Sequence, residues 1–389
     1  MKRNQEGFKT REVHAGVSPD PVTGAILTPI YQSTTFVQDS VDDYMSKGFS
    51  YSRSGNPTVV ALEHRINALE GGAGAACFAT GMAATSAVMM ALLNQGEHAI
   101  CSDVVYGGTH RLSTRVLSRF GVEYSFVDSA DPDAVKAAIG DNTKLIFTET
   151  PANPTLKLTD IAAISALAKA ADIPHAVDNT FLTPFYQRPL ELGADIVVHS
   201  TTKYMDGHNT TVGGAIVAAH QDQLEAIQFV RNCLGSNMSP QVAFYTLQGC
   251  KTMSTRLEAQ SESAMKVAQF LATHPMVEEV RYPGLASFPQ YELACRQADG
   301  FGAMMWFEVK GGVASGKQLM NTLQLWSLAE NLGAVESLVT HSVTMTHADM
   351  NPAERQRVGI TDGLVRLSVG LEDVDDLIAD LKQALDGLQ

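Results

Sequence analysis

The sequence predicts an α/β fold: a large domain on a mostly parallel sheet, then a smaller C-terminal α+β domain. Two observations carry this. Seven short apolar runs between residues 75 and 219 alternate with stretches of helical spacing, the rhythm of βαβ units. Beyond about residue 250 the apolar runs are spaced differently, with helices between them. Length agrees, because 389 residues exceed what one core usually supports.

Each element has a local reason. Residues 1–55 show weak periodicity and several prolines and glycines, so they read as an extended arm. After Pro57 the stretch "TVVALEHRINALEGG" has helical spacing and stops at Gly-Gly. The strand candidates follow as "AACFA" (75–79), "EHAICS" (97–102), "VEYSFV" (122–127), "KLIFTE" (144–149), "IPHAVD" (173–178), "ADIVVH" (194–199) and "GGAIVAA" (213–219). They assign 56–250 to the large domain. From about Ser239 a long amphipathic helical stretch is expected to reach "FLATHP". In the small domain, 251–389, strands are expected in "VEEVRYPG", "FGAMMWFEVKGG", "LQLWSLAE" and "LVRLSVG".

Composition excludes several classes. The formal net charge is -14 and no Lys/Arg cluster occurs, which disfavours nucleic acid and anionic membranes as partners. The longest apolar patch, Ala87 to Leu93, is far too short to span a bilayer, and the start "MKRNQEGFKTREVHAG" has no apolar leader. A cytoplasmic protein is expected. Five cysteines are scattered without a Cys-x-x-Cys pair, which argues against a disulfide framework or a zinc site; no metal is expected. They read as small buried hydrophobes.

The polar residues of interest all follow strand ends, where open α/β sheets bind ligands. Lys203 lies just beyond "ADIVVH" among Ser200, Thr201 and Thr202. Most lysines are solvated, but a lysine sheltered beside a bound phosphate suits Schiff-base formation. Asp178 ends "IPHAVD". A turn aspartate is the ordinary reading, and a carboxylate holding a pyridine nitrogen protonated is the functional one. The 25 residues from Asp178 to Lys203 hold one helix and one strand, which places both at one edge of adjacent strands. "FATGMAAT" runs from strand through Thr80, Gly81 and Met82 into a helix whose N-terminus offers amides to a phosphate; a plain strand-to-helix turn competes.

"VVYGGTHR" supplies Tyr106, able to stack on a flat ring, and Arg111. "FSYSRSGNPT" supplies Tyr51 and Arg53, spaced to point one way on an extended chain and suited to a phosphate oxygen. "ETPANPT" supplies Asn153, with Glu149 behind it. Arg366 sits inside the apolar run "LVRLSVG", where a guanidinium needs a partner: a substrate carboxylate, or a structural salt bridge.

Together these stretches, with "VDNTF", "HSTTKYMDGH" and "LVRLSVGLEDVDDLIADL", resemble the Cys/Met-metabolism (transsulfuration) family of pyridoxal 5'-phosphate (PLP) enzymes, in order and over nearly the whole chain. The resemblance implies the PLP-dependent transferase fold type I, like aspartate aminotransferase. It implies that Lys203 carries PLP covalently, Asp178 partners the ring nitrogen and Tyr106 stacks on the ring and moves protons. Gly81, Met82, Ser200 and Thr202 would bind the phosphate. Tyr51 and Arg53 would reach the phosphate of a neighbouring subunit, in a homotetramer built as a dimer of dimers. Asn153 and Arg366 would clamp the substrate α-carboxylate. Arg111, Glu330 and Asn331 would complete the substrate site.

The family includes cystathionine γ-lyases, γ-synthases and β-lyases, methionine γ-lyases and homoserine sulfhydrylases. Similarity around "YPGLASFPQYELACRQ" points to the methionine γ-lyases. Those enzymes, however, typically carry Cys where Gly108 stands and Val where Glu330 stands. Glu330 suits the distal ammonium of cystathionine, and Ser54 stands where some γ-synthases place a second arginine. The expected activity is γ-elimination from cystathionine. γ-Replacement of activated homoserine with cysteine is the alternative, then methionine γ-elimination or sulfhydrylation. A PLP-fold binding or regulatory protein is the reading from a different class. Asn331 stands where the family usually has Ser.

Overall fold

The computed structural model describes residues 6–345, 348 and 351–388. The first five residues, part of the start read as leaderless, lie outside this range. Seven strands form the large sheet: β1 (Gly74–Phe78), β2 (His98–Ser102), β3 (Glu123–Val127), β4 (Thr143–Glu149), β5 (His175–Asp178), β6 (Ile196–Ser200) and β7 (Gly214–Ala218). Their order is β1-β7-β6-β5-β4-β2-β3. Strands β2 to β6 run parallel, and β7 runs antiparallel to both β6 and β1. A parallel return needs a crossover. The chain from 201 to 213 contains no helix, so β7 folds straight back on β6.

The sheet is covered on both faces, which is why its central strands read as unbroken apolar runs. Alternation assigns the faces along β1. Ala76 and Phe78 pack with Val88 and Met89 of the helix Gly81–Leu92, while Ala75 and Cys77 pack with Leu62 and Ile66 of the helix Pro57–Glu70.

The second sheet joins β8 (Val277–Arg281), β9 (Met304–Val309), β10 (Ser327–Leu328), β11 (Leu338–His341) and β12 (Leu364–Ser368) in the order β10-β11-β12-β9-β8. It is antiparallel except at β10–β11. The run "LQLWSLAE" yields only the two-residue β10. Strand β11 was not anticipated; four residues are too few to set a period against their neighbours.

Three further differences have physical reasons. Within the arm, Phe8–His14 is a helix, too short to show its own periodicity. Buried Arg65 secures it by donating to the carbonyls of Val13 (3.0 Å) and Ala15 (3.0 Å). The expected long helix from Ser239 breaks into Pro240–Cys250 and Met253–Thr273. At the break Gly249 lies against Asp206, whose carbonyl an added Cβ would meet at 2.2 Å, and Arg256 donates to the carbonyls of Gly249 (2.8 Å) and Tyr204 (2.9 Å). The chain bends there to hold the β6–β7 connection. Finally, Cys77, Cys101 and Cys250 are buried, but Cys233 and Cys295 are exposed, against the reading of all five as buried. Among the described residues no helix is long and apolar enough to cross a membrane.

Candidate active site

The carboxyl ends of β1, β4, β5 and β6 open into a cleft of about 330 Å³, within the range of small-molecule sites. Strand β12 of the small sheet closes its other side through Arg366. Gly81, Met82, Tyr106, Arg111, Asn153, Asp178, Ser200, Thr202, Lys203, Glu330, Asn331 and Arg366 all line it. Tyr51 and Arg53 do not. They sit on the exposed arm, with the Arg53 guanidinium 5.6 Å from the Tyr51 ring centroid and donating to Asn232 Oδ1 (2.9 Å) and its carbonyl (2.7 Å).

One wall is a helix N-terminus. Thr80 caps the helix Gly81–Leu92 by accepting from Ala83 N (2.9 Å). Two glycines allow this turn to press on the ends of β6 and β7. A Cβ on Gly81 would meet Ser200 Cβ at 2.9 Å, and one on Gly214 would meet the Thr80 carbonyl at 2.2 Å. The amides of the helix start and the Ser200 hydroxyl therefore sit together, a ready anion cradle. Thr202 Oγ1 accepts from Gly213 N (3.0 Å) and donates to its carbonyl (3.2 Å), so it braces the β6–β7 return.

Asp178 ends β5 beside this cradle. Both of its hydrogen bonds among the described residues fall on Oδ1, from Thr180 N (3.0 Å) and Thr180 Oγ1 (2.6 Å). Among the described residues, Oδ2 has no protein donor. Burial pushes the Asp178 carboxyl upward, and the Thr180 bonds pull it back. Thr180 Oγ1 also accepts from Ser200 N (2.9 Å), tying β5 to β6. Sequence reasoning passed over Thr180, although its place two residues after Asp178 is an Asx-turn position.

Lys203 is half-buried, and its ammonium donates to Asn331 Oδ1. Burial, and then the Arg366 charge, lower its pKa to about 8. A usable fraction is thus the neutral, nucleophilic amine near pH 8. Arg366 is 5% exposed, donates to Asn153 Oδ1 (2.9 Å) and to the Asn331 carbonyl (3.1 Å), and has no ion pair among the described residues. Among the described residues, the structural salt bridge that competed for it is not found.

Tyr106, 47% exposed, caps the short helix Gly107–Arg111, and its backbone N donates to Glu149 Oε2 (2.7 Å). A Cβ on Gly108 would meet Tyr106 Cε1 at 2.5 Å and Met82 Sδ at 2.6 Å, so the tyrosine ring packs where a larger residue would stand. Arg111 and Glu330 lie exposed at the rim, and their side chains make no hydrogen bond or ion pair among the described residues.

A cradle for an anion, an acid at the neighbouring strand end and a half-buried lysine on the same cleft define an α/β enzyme fitted to a phosphorylated aromatic aldehyde. Comparison with known proteins makes the class specific. The profile of the Cys/Met metabolism PLP-dependent enzymes matches residues 9–386. Cystathionine gamma-lyase of Bacillus subtilis is 45% identical over 98% of this chain and 99% of its own. Cystathionine gamma-synthase of Mycobacterium tuberculosis is 47% identical over 97% of both chains. L-methionine gamma-lyase of Porphyromonas gingivalis is 46% identical over 99% of this chain and 98% of its own. The crystal structure of metB from Corynebacterium glutamicum superposes with a TM-score of 0.96 at 43% identity, covering 100% of both chains. The chain belongs to the Cys/Met-metabolism family of PLP-dependent enzymes, which act on sulfur amino acids, and its cofactor is PLP.

Proposed function

We propose that the protein is a cystathionine γ-lyase, releasing cysteine, 2-oxobutanoate and ammonia from cystathionine. The observation that carries this reading is a pair of rim charges that make no ion pair among the described residues, Glu330 and Arg111, on the cleft that holds Lys203. The far end of cystathionine is a second amino-acid head, with an ammonium for Glu330 and a carboxylate for Arg111. Methionine ends in an uncharged methyl group and has no use for either. Gly108 supports the same choice, since the Tyr106 ring and Met82 fill the space a larger side chain there would need.

The residues divide the work. Lys203 would hold PLP covalently, with its phosphate on the Gly81–Met82 amides, Ser200 and Thr202, its ring nitrogen on Asp178 and its ring face on Tyr106. Bound there, PLP supplies an electron sink for charge left at Cα. Arg366, kept in place by Asn153, binds the substrate α-carboxylate. Lys203, displaced by the substrate amine, takes the Cα proton, and Asn331 Oδ1 holds the lysine within reach. Tyr106 takes a proton from Cβ as the Cγ–S bond breaks and passes it to the departing sulfur. Tyr51 and Arg53 serve the phosphate of a neighbouring copy in a cytoplasmic homotetramer.

γ-Replacement would use the same groups, so products decide. The purified protein is offered cystathionine, methionine, and O-succinylhomoserine with cysteine. Cysteine and 2-oxobutanoate from the first are expected to dominate. Cystathionine formed faster from the third would make it a synthase, and methanethiol from the second a methionine γ-lyase.

A further inference from the structure

Glu149 ends β4, is 6% exposed and lines the cleft, yet the mechanism above does not use it. Its two oxygens are committed to different loops. Oε2 accepts from Tyr106 N (2.7 Å) and Oε1 from Asn153 N (2.9 Å). A glutamine has one acceptor oxygen and would turn its amide toward the second N–H, so this seat suits a carboxylate. Across the ladder Glu149 lies directly opposite Asp178 on parallel β5, about 5 Å away between strands. A buried and a half-buried carboxylate therefore end side by side at the same sheet edge. Burial first, then the Asp178 charge, push Glu149 up to about 8, and burial raises Asp178 as well.

The surrounding charges relieve that strain only in part: the His199 charge pulls Asp178 down by less than burial raises it. From β6, His199 is committed to Glu70 (2.6 Å). From β12, Arg366 reaches Glu149 only through Asn153. Lys203 donates to Asn331. A cation placed at Asp178 would favour the charged form of both carboxylates, and a neutral group in the same place would leave their repulsion as it is.

We propose that Glu149 is a positioning residue: its carboxylate, seated on the Tyr106 and Asn153 amides beside Asp178, makes the cleft select a protonated ring nitrogen. This rests on the reading that Asp178 faces the ring nitrogen. The test is equilibrium binding to the apo-protein, read by fluorescence quenching, of PLP and of its analogue with C–H in place of the ring nitrogen. In Glu149→Gln the preference for PLP over the analogue should fall roughly tenfold, the effect of one pKa unit on the ring nitrogen. A merely structural anchor would weaken both ligands alike and leave the ratio unchanged, which overturns the proposal. Asp178→Asn is the control. If it leaves the ratio intact, the reading of Asp178 fails; if it collapses the ratio while Glu149→Gln does not, only this inference fails. Should Glu149→Gln not fold, Glu149→Asp carries the test. It keeps the charge and must keep the ratio even as both affinities drop, and a collapsed ratio there overturns the proposal.

Discussion

The inner wall of the cleft is bonded into the two sheets, and its rim is not. Asp178, Glu149 and Arg366 stand at strand ends or within a strand; Glu149 and Arg366 are hydrogen-bonded to other segments, and Asp178 to Thr180 of its own turn. The side chains of Glu330 and Arg111 lie exposed and make no hydrogen bond or ion pair among the described residues. Groups on the wall are held by the fold and costly to alter, because removing one leaves a buried partner unsatisfied. Rim charges are free to meet a substrate and can change with little effect on stability. The proposed function accordingly gives the chemistry to the wall and the choice of substrate to the rim.

The sharpest way to break this division is at Lys203. Lys203→Ala should lower kcat for every substrate by roughly 10³-fold or more, as expected when a general base is lost. Borohydride reduction and peptide mapping of the unaltered enzyme should place the cofactor label on Lys203, and label on another lysine would overturn the assignment. Next comes Arg366→Ala. It should cut kcat/KM by roughly ten- to a hundredfold for cystathionine and methionine alike, since both carry the α-carboxylate.

At the rim the effect should be as large for one substrate and absent for another. Glu330→Val should lower kcat/KM for cystathionine by roughly ten- to a hundredfold while turnover of methionine holds or rises. Stability, followed by thermal unfolding, should hardly move. An unchanged ratio of the two specificity constants would remove Glu330 as the selector and favour methionine as substrate.

A smaller effect is expected on the arm. Arg53→Ala should weaken PLP retention roughly tenfold. Mixing Arg53→Ala with Lys203→Ala subunits should restore activity in hybrids if the arm serves a neighbour's cleft; inactive hybrids in intact oligomers would place its action in its own subunit. The smallest effect is on pH. Burial and Arg366 hold Lys203 below the ordinary lysine value, at about 8. Below that pH the amine is charged and unreactive, so capture of PLP by the apo-protein should speed up as pH rises through about 8. Arg366→Met removes the neighbouring positive charge, so the midpoint should move upward. A midpoint that stays put would mean burial alone sets it.

Much of this was legible in the chain. The seven apolar runs became the seven strands, because a strand covered on both faces must be apolar throughout and its boundaries are marked by turns. Asp178 and Lys203 could be placed together because each follows a strand end by local sequence alone. What escaped was set by contacts distant in sequence. The helix Phe8–His14 depends on Arg65, and the break near Lys251 depends on Asp206 and Tyr204. Glu149 looked incidental until the β4–β5 register set it against Asp178 and gave its oxygens to two separate loops. Periodicity and turn residues act over a few positions and are written in order along the chain. Register, close approach and the fate of a buried charge depend on which segments meet, and only the folded molecule decides that.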